Sequence, residues 1–157
     1  MDRRGFFGSL LPKTKKEPNV IRPPYLAKSF LECGDSCNFE CASVCEEQII
    51  KIVENKPILD FSKRGCSFCE KCGIECSQKV LDIELNNQKV IKATFEIDVI
   101  KCLSWNKTIC FSCKDVCQDK AIKFYGMFNP EILANCTNCG FCVGVCPSDA
   151  IKYKGLS

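Results

Sequence analysis

Polar and apolar positions follow one short pattern at four places along the chain. The segments Glu46-Glu47-Gln48-Ile49-Ile50, Ser77-Gln78-Lys79-Val80-Leu81, Gln118-Asp119-Lys120-Ala121-Ile122 and Pro147-Ser148-Asp149-Ala150-Ile151 each carry three mostly polar residues and then two small or apolar ones, the last always Ile or Leu. Each follows directly on a cysteine, at Cys45, Cys76, Cys117 and Cys146. Self-similarity of this kind marks an internal repeat. It predicts a helical turn that pins an aliphatic side chain in the interior and then a brief strand.

Between the second and third copies, Phe95-Glu96-Ile97-Asp98-Val99 alternates apolar and acidic residues as a half-buried strand does. Asp82-Ile83-Glu84-Leu85 alternates too, with Asn86-Asn87 offering a turn between the two runs. The stretch 77–101 is the longest spacer and a natural boundary between two halves, 33–101 and 102–157. Residues 1–32 hold four of the seven prolines and no cysteine, and read as an extended N-terminal arm.

The repeat is built round sixteen cysteines in 157 residues. The last quartet, Cys136, Cys139, Cys142 and Cys146, has the C-x2-C-x2-C-x3-C-P spacing of a bacterial-type [4Fe–4S] site. Cys66, Cys69, Cys72 and Cys76 repeat it, with Ser77 in place of the proline. Pro147 only turns the chain and removes a donor, so its loss touches no ligand.

The third quartet is stretched: Cys110, Cys113 and Cys117 keep the close spacing, while Cys102 stands beyond a loop containing Trp105. A longer loop closes at modest entropic cost. Trp105 there serves either as a shield over the cluster or as a core anchor. The first quartet, Cys33, Cys37, Cys41 and Cys45, has three residues in each gap. A continuous helix would hold its outer cysteines about 18 Å apart, too far to share one cluster, and Gly34, Asp35, Ser36 and Asn38 disfavour helix. A wrapping loop is expected instead.

All sixteen are therefore candidate iron ligands of three or four [4Fe–4S] clusters, with four favoured. In two-cluster sites the fourth cysteine of a run ligates the neighbouring cluster. The short spacers favour pairing the first quartet with the second and the third with the fourth; a nested arrangement is the alternative. The fold class that follows is α+β: tandem ferredoxin-like bicluster domains with short helices and small antiparallel strands, preceded by the arm. Phe39, Phe68, Phe111 and Phe141 lie inside the cysteine loops, where they exclude water from the clusters, fill the core, or do both.

Composition sharpens this picture. The hydrophobic share of 46% includes every cysteine, so the remaining apolar core is thin and metal should contribute to folding. A disulfide scaffold is the competing reading of such a composition. Arg3-Arg4-Gly5 resembles an export motif, but the apolar stretch after it ends at Leu11, short of a signal peptide. No run approaches a membrane span. The expected location is the cytoplasm, where thiols stay reduced.

The formal charge of +3 counts thiols as neutral. Four oxidised clusters with their thiolates would bring the protein to about −5, which leaves little case for nucleic-acid binding. The absence of histidine excludes Rieske ligation and removes the commonest general base. No phosphate-cradling glycine motif is present either, and no enzyme activity is expected. Zinc sites usually pair two distant C-x2-C knuckles, unlike these compact quartets.

Arg3-Arg4-Gly5, Ile21-Arg22-Pro23-Pro24, the C-S-F-C run at Cys66–Cys69 and the stretched Cys102–Cys110 spacing together resemble the NapF family, the ferredoxin-type accessory proteins of the periplasmic nitrate reductase system. The resemblance implies a cytoplasmic protein. It also implies a partner, the molybdenum- and iron–sulfur-containing catalytic subunit, acted on before export by assisting cluster insertion or redox poising. The first quartet is looser than the family's. An electron carrier, or a subunit linking a quinol-oxidising complex to nitrate reduction, needs the same clusters. A zinc-stabilised interaction scaffold is the reading from another class.

Overall fold

The same succession of elements occurs twice. In the computed structural model, which describes residues 20–34 and 36–156, a four-residue helix α1 (Glu40–Ser43) is followed by a hairpin of β1 (Ile50–Val53) and β2 (Lys56–Leu59), and then by helix α2 (Lys71–Ile74). After β3 (Ala93–Ile97) come helix α3 (Ser112–Asp115), a hairpin of β4 (Ile122–Tyr125) and β5 (Phe128–Ile132), helix α4 (Phe141–Gly144) and β6 (Ile151–Gly155). Helix α1 packs against α2, and α3 against α4.

Turn chemistry makes the hairpins. Glu54 and Asn55 both take positive φ, 48° and 56°, between paired Val53 and Lys56, which matches the right-handed twist of the strands. Gly126, at φ 70°, opens the second hairpin, and a register shift follows at Phe124/Tyr125.

Each succession is closed by pairing its first extended segment with its last. In the second, β3 pairs antiparallel with β6 from Ala93↔Gly155 to Ile97↔Ile151. In the first, Leu26 bridges Leu81, and the amides of Ala27 and Lys28 both donate to the Val80 carbonyl. The halves 33–101 and 102–157 thus put β3 in one half and its partner strand in the other. A strand that precedes a quartet has to close on the strand that leaves the partner quartet.

The described end of the arm is likewise part of the body. Ile21 and Tyr25 are 2% and 1% exposed, the Ile21 carbonyl accepts from Leu59 N, and Arg22 donates to the Pro57 carbonyl. Residues 21–27 are not the free extended arm read from their prolines: the chain bends at Pro24, Tyr25 takes a left-handed φ of 67°, and the segment is packed against the body; a 3-10 turn at Phe30–Glu32 follows. Residues 1–19, including Arg3-Arg4, lie outside the described residues.

The alternating run at 82–85 is a turn and not a strand. The Asp82 carboxylate accepts from Glu84 N at 2.8 Å and from Leu85 N at 3.4 Å, an Asx turn that competes with any sheet ladder. The 95–99 run does form a strand, with Ala93 and Phe95 buried, although it ends at Ile97.

Phe61, Phe95 and Tyr153 meet with ring centroids 5.6–5.8 Å apart and draw both successions into one core. Aromatic pairs of this geometry add about 0.5–1.5 kcal/mol beyond burial. Cys33, Cys41, Cys72 and Cys76 are themselves among the buried core residues, which bears out the thinness of the apolar interior.

Candidate metal centres

One local motif presents the sulfurs four times. The third cysteine of every quartet occupies the second position of its short helix: Cys41, Cys72, Cys113 and Cys142. The fourth follows that helix, and three residues later the chain turns through a left-handed residue: Gln48, Lys79, Lys120 and Asp149, at φ 48–54°. Only then come the paired apolar positions. Ile49, Ile50, Val80, Leu81, Ala121, Ile122, Ala150 and Ile151 are all at most 7% exposed, as the repeat predicts.

A left-handed non-glycine residue costs about 1–2 kcal/mol, so its recurrence at one position has a cause. After this turn the backbone aims an amide back at sulfur: Ala121 N at Cys117 Sγ and Ala150 N at Cys146 Sγ, both 3.2 Å, and Leu81 N at Cys76 Sγ, 3.5 Å. Left-handed residues do the same inside the loops. Phe39 N donates to Cys37 Sγ and Asn138 N to Cys136 Sγ, each at 3.4 Å. Such donors stabilise sulfur carrying negative charge.

The sixteen cysteines gather into four groups, and every group is crossed. Cys45 joins Cys66, Cys69 and Cys72 round a small cavity, which we call site II. Cys146 joins Cys102, Cys110 and Cys113 round another, site III. Cys117 joins Cys136, Cys139 and Cys142 round a third, site IV. Cys76 lies with Cys33, Cys37 and Cys41 as site I, where the neighbouring sulfurs are close enough to raise Cys33 and Cys41. Three sulfurs of one quartet thus meet the fourth of its partner, between the first and second quartets and between the third and fourth. Matching donors in three cavities point to one kind of occupant.

Burial disfavours thiolate in all four groups. It pushes Cys41, Cys66 and Cys72 up to about 12 and Cys113 to about 11, and it raises Cys33, Cys136, Cys139 and Cys142 as well. Neighbouring sulfurs add to the effect at each of these positions. A cationic core inside each group is what such sulfurs lack, and a coordinated thiol is deprotonated outright. Among the described residues no group of three or more His, Cys, Asp or Glu is placed to hold a single metal ion. The residues fit an iron–sulfur cluster: four sulfurs, a space wider than one ion, and amides aimed at the sulfurs.

The first quartet wraps as a loop, with helix only over Glu40–Ser43. Crossing contacts between side chains flank sites I and II: Ser77 Oγ donates to the Glu40 carboxylate on α1, and Lys71 on α2 pairs with Glu46.

Trp105 fills neither of its expected roles. Its indole donates to the Pro130 carbonyl at 3.1 Å and the ring is 38% exposed, off the site III lining, where Leu103, Ile97 and Ile151 stand instead. Phe68 lines site II and Phe141 site IV, while Phe111 packs against Phe124 with ring centroids 4.9 Å apart and planes tilted by 57°.

Several supporting residues are missed by a reading that follows cysteines. Tyr25 donates to the Phe68 carbonyl at 3.2 Å behind site II. Asn106 Nδ2 reaches the carbonyls of Cys102 and Ile100 at 2.8 and 2.9 Å, and Asn138 Nδ2 those of Ile91 and Ala93, both at 2.9 Å. An Asn four residues after Cys102 and two after Cys136 is the local sign, since Asn bonds readily to nearby backbone.

No helix among the described residues is long and apolar enough to cross a membrane. No curated protein matches the chain. Residues 132–152, which hold site IV's three consecutive cysteines, Cys146 and the start of β6, match the family model of the 4Fe-4S binding domain. With this domain the chain is a small ferredoxin-type iron–sulfur protein that binds [4Fe–4S].

Proposed function

We propose that the chain carries four [4Fe–4S] clusters in two bicluster units, at sites I and II and at sites III and IV. The observation that carries this reading is the crossing of all four fourth cysteines. Each cluster, when bound, supplies one-electron chemistry. The chain's part is to hold the sulfurs, to aim amides at them and to keep water away with Phe68, Phe141 and the buried Ile and Leu residues. The protein is an electron-transfer protein and not an enzyme.

Its physiological role, on this proposal, is that of a cytoplasmic accessory protein that assists maturation of the catalytic subunit of periplasmic nitrate reductase before export. That step rests on the resemblance carried by Ile21-Arg22-Pro23-Pro24, the C-S-F-C run and the stretched third quartet. The test is a pull-down with the cluster-loaded chain against the pre-export subunit, in apo and mature forms. Retention of the apo form supports maturation. If neither form is retained while clusters are present, the role reduces to that of an electron carrier.

A further inference from the structure

The two bicluster units meet at a seam made of backbone. Cys66, which lines site II, donates its N–H to the carbonyl of Cys139, which lines site IV, at 2.7 Å. Three glycines make this approach feasible. A Cβ on Gly65 would lie 2.4 Å from Phe141 N and 2.7 Å from the Cys139 carbonyl. One on Gly140, already at φ 84°, would lie 2.3 Å from the Phe61 ring, and one on Gly144 would lie 2.4 Å from the Lys63 carbonyl. The segments 61–66 and 139–144 are therefore laid against each other at distances no other residue type permits. A glycine whose Cβ would meet backbone marks a place where two main chains must touch.

We infer that this glycine-lined seam is the electron junction between the two units, and that the four sites form one row whose order departs from the chain: I, II, IV, III. The inference rests on the four-cluster reading. Sites I and II share crossed quartets, as do III and IV, and the Cys66–Cys139 bond joins II to IV. The two regular quartets thus supply most of the middle of the row. The two irregular ones, at Cys33–Cys41 and Cys102–Cys113, supply its ends, where partners donate and accept. One electron crossing the seam oxidises one side by one unit and reduces the other by one, with no proton or further reagent required.

The test uses the full chain loaded with clusters and compares the parent with Gly65→Ala and Gly126→Asn. Gly126 sits in a left-handed turn with open space round it, and Asn tolerates that conformation. Two readouts are taken: exchange of the Cys66 amide by mass spectrometry, and the electron paramagnetic resonance spectrum of the fully reduced protein. In the parent the Cys66 amide is protected. In Gly65→Ala it exchanges at least about tenfold faster, and the spin–spin broadening between sites II and IV is lost while the iron content holds. Gly126→Asn behaves as the parent. An unprotected Cys66 amide in the parent overturns the inference, as does a fully loaded Gly65→Ala protein with the parent's coupled spectrum. Should Gly65→Ala fail to load, Gly144→Ala, whose Cβ would meet the Lys63 carbonyl across the same seam, is read in its place by both measurements. A parent chain that takes up no iron overturns the four-cluster reading itself, and the iron assay shows this before any spectrum is taken.

Discussion

Asp98 is anchored by its backbone N–H to the carbonyl of Ala150 at 2.7 Å, and the amide of Ala150 in turn donates to Cys146 Sγ at 3.2 Å. On its other side the Asp98 carbonyl accepts from Cys102 N at 2.9 Å. Two sulfurs that line site III are thereby held through one residue, which explains how a quartet with a remote first cysteine still closes. The Asp98 carboxylate completes the turn by accepting from Ile100 N at 3.0 Å and from Lys152 Nζ at 2.6 Å.

Replacing Asp98 by Ala keeps those two backbone bonds but removes the carboxylate that fixes the turn through Ile100 N and Lys152, so its effect should fall on site III alone. Asp98→Ala is expected to lower iron by about four per chain, one cluster of the four, while the signals of the remaining sites persist. Iron analysis beside Mössbauer spectra checks this, and a loss spread evenly over all sites would count against the assignment.

Crossing makes a prediction about pairs of cysteines. Cys45 and Cys66 come from different quartets yet line one site, whereas Cys41 and Cys45 share a quartet but line two. Cys45→Ala with Cys66→Ala should cost no more iron than either change alone. Cys41→Ala with Cys45→Ala should cost the sum, since changes in one network do not add and independent ones do.

Much of this arrangement is legible in the chain, because the repeat couples a cysteine to buried aliphatics at a fixed offset. All eight aliphatic or alanine positions after the fourth cysteines are buried, from Ile49 to Ile151. What stays hidden depends on distant partners. Alternation at 82–85 is indistinguishable from that at 95–99 until the Asp82 carboxylate is seen capping its own turn. The prolines at 23–24 suggest an arm, and nothing local tells that Ile21 and Tyr25 find a pocket made by β2 and the second quartet. Gly65 and Gly140 look like ordinary loop glycines until their neighbours across the seam are known.

Tyr25 offers a test of packing separate from the metal. It is 1% exposed, and its hydroxyl bonds the Phe68 carbonyl. Tyr25→Phe keeps the ring and strands that carbonyl, so it should cost about 1 kcal/mol in denaturant unfolding with iron content unchanged.

Iron removal should unfold the chain. Four cysteines belong to the buried core, and burial opposes ionisation of three of them, Cys33, Cys41 and Cys72. Without a cationic core the sites have no means of holding sulfurs together, and binding energy is folding energy in such domains. Anaerobic chelation is expected to abolish the cooperative thermal transition and to open the chain to protease. An apo chain that melts cooperatively near the holoprotein's midpoint would contradict this.

Purified or reconstituted without oxygen, the chain should hold about sixteen iron atoms and about sixteen acid-labile sulfides, in equal numbers. About four of each, from the segment 132–152 alone, or zinc without sulfide, would contradict a chain of four clusters.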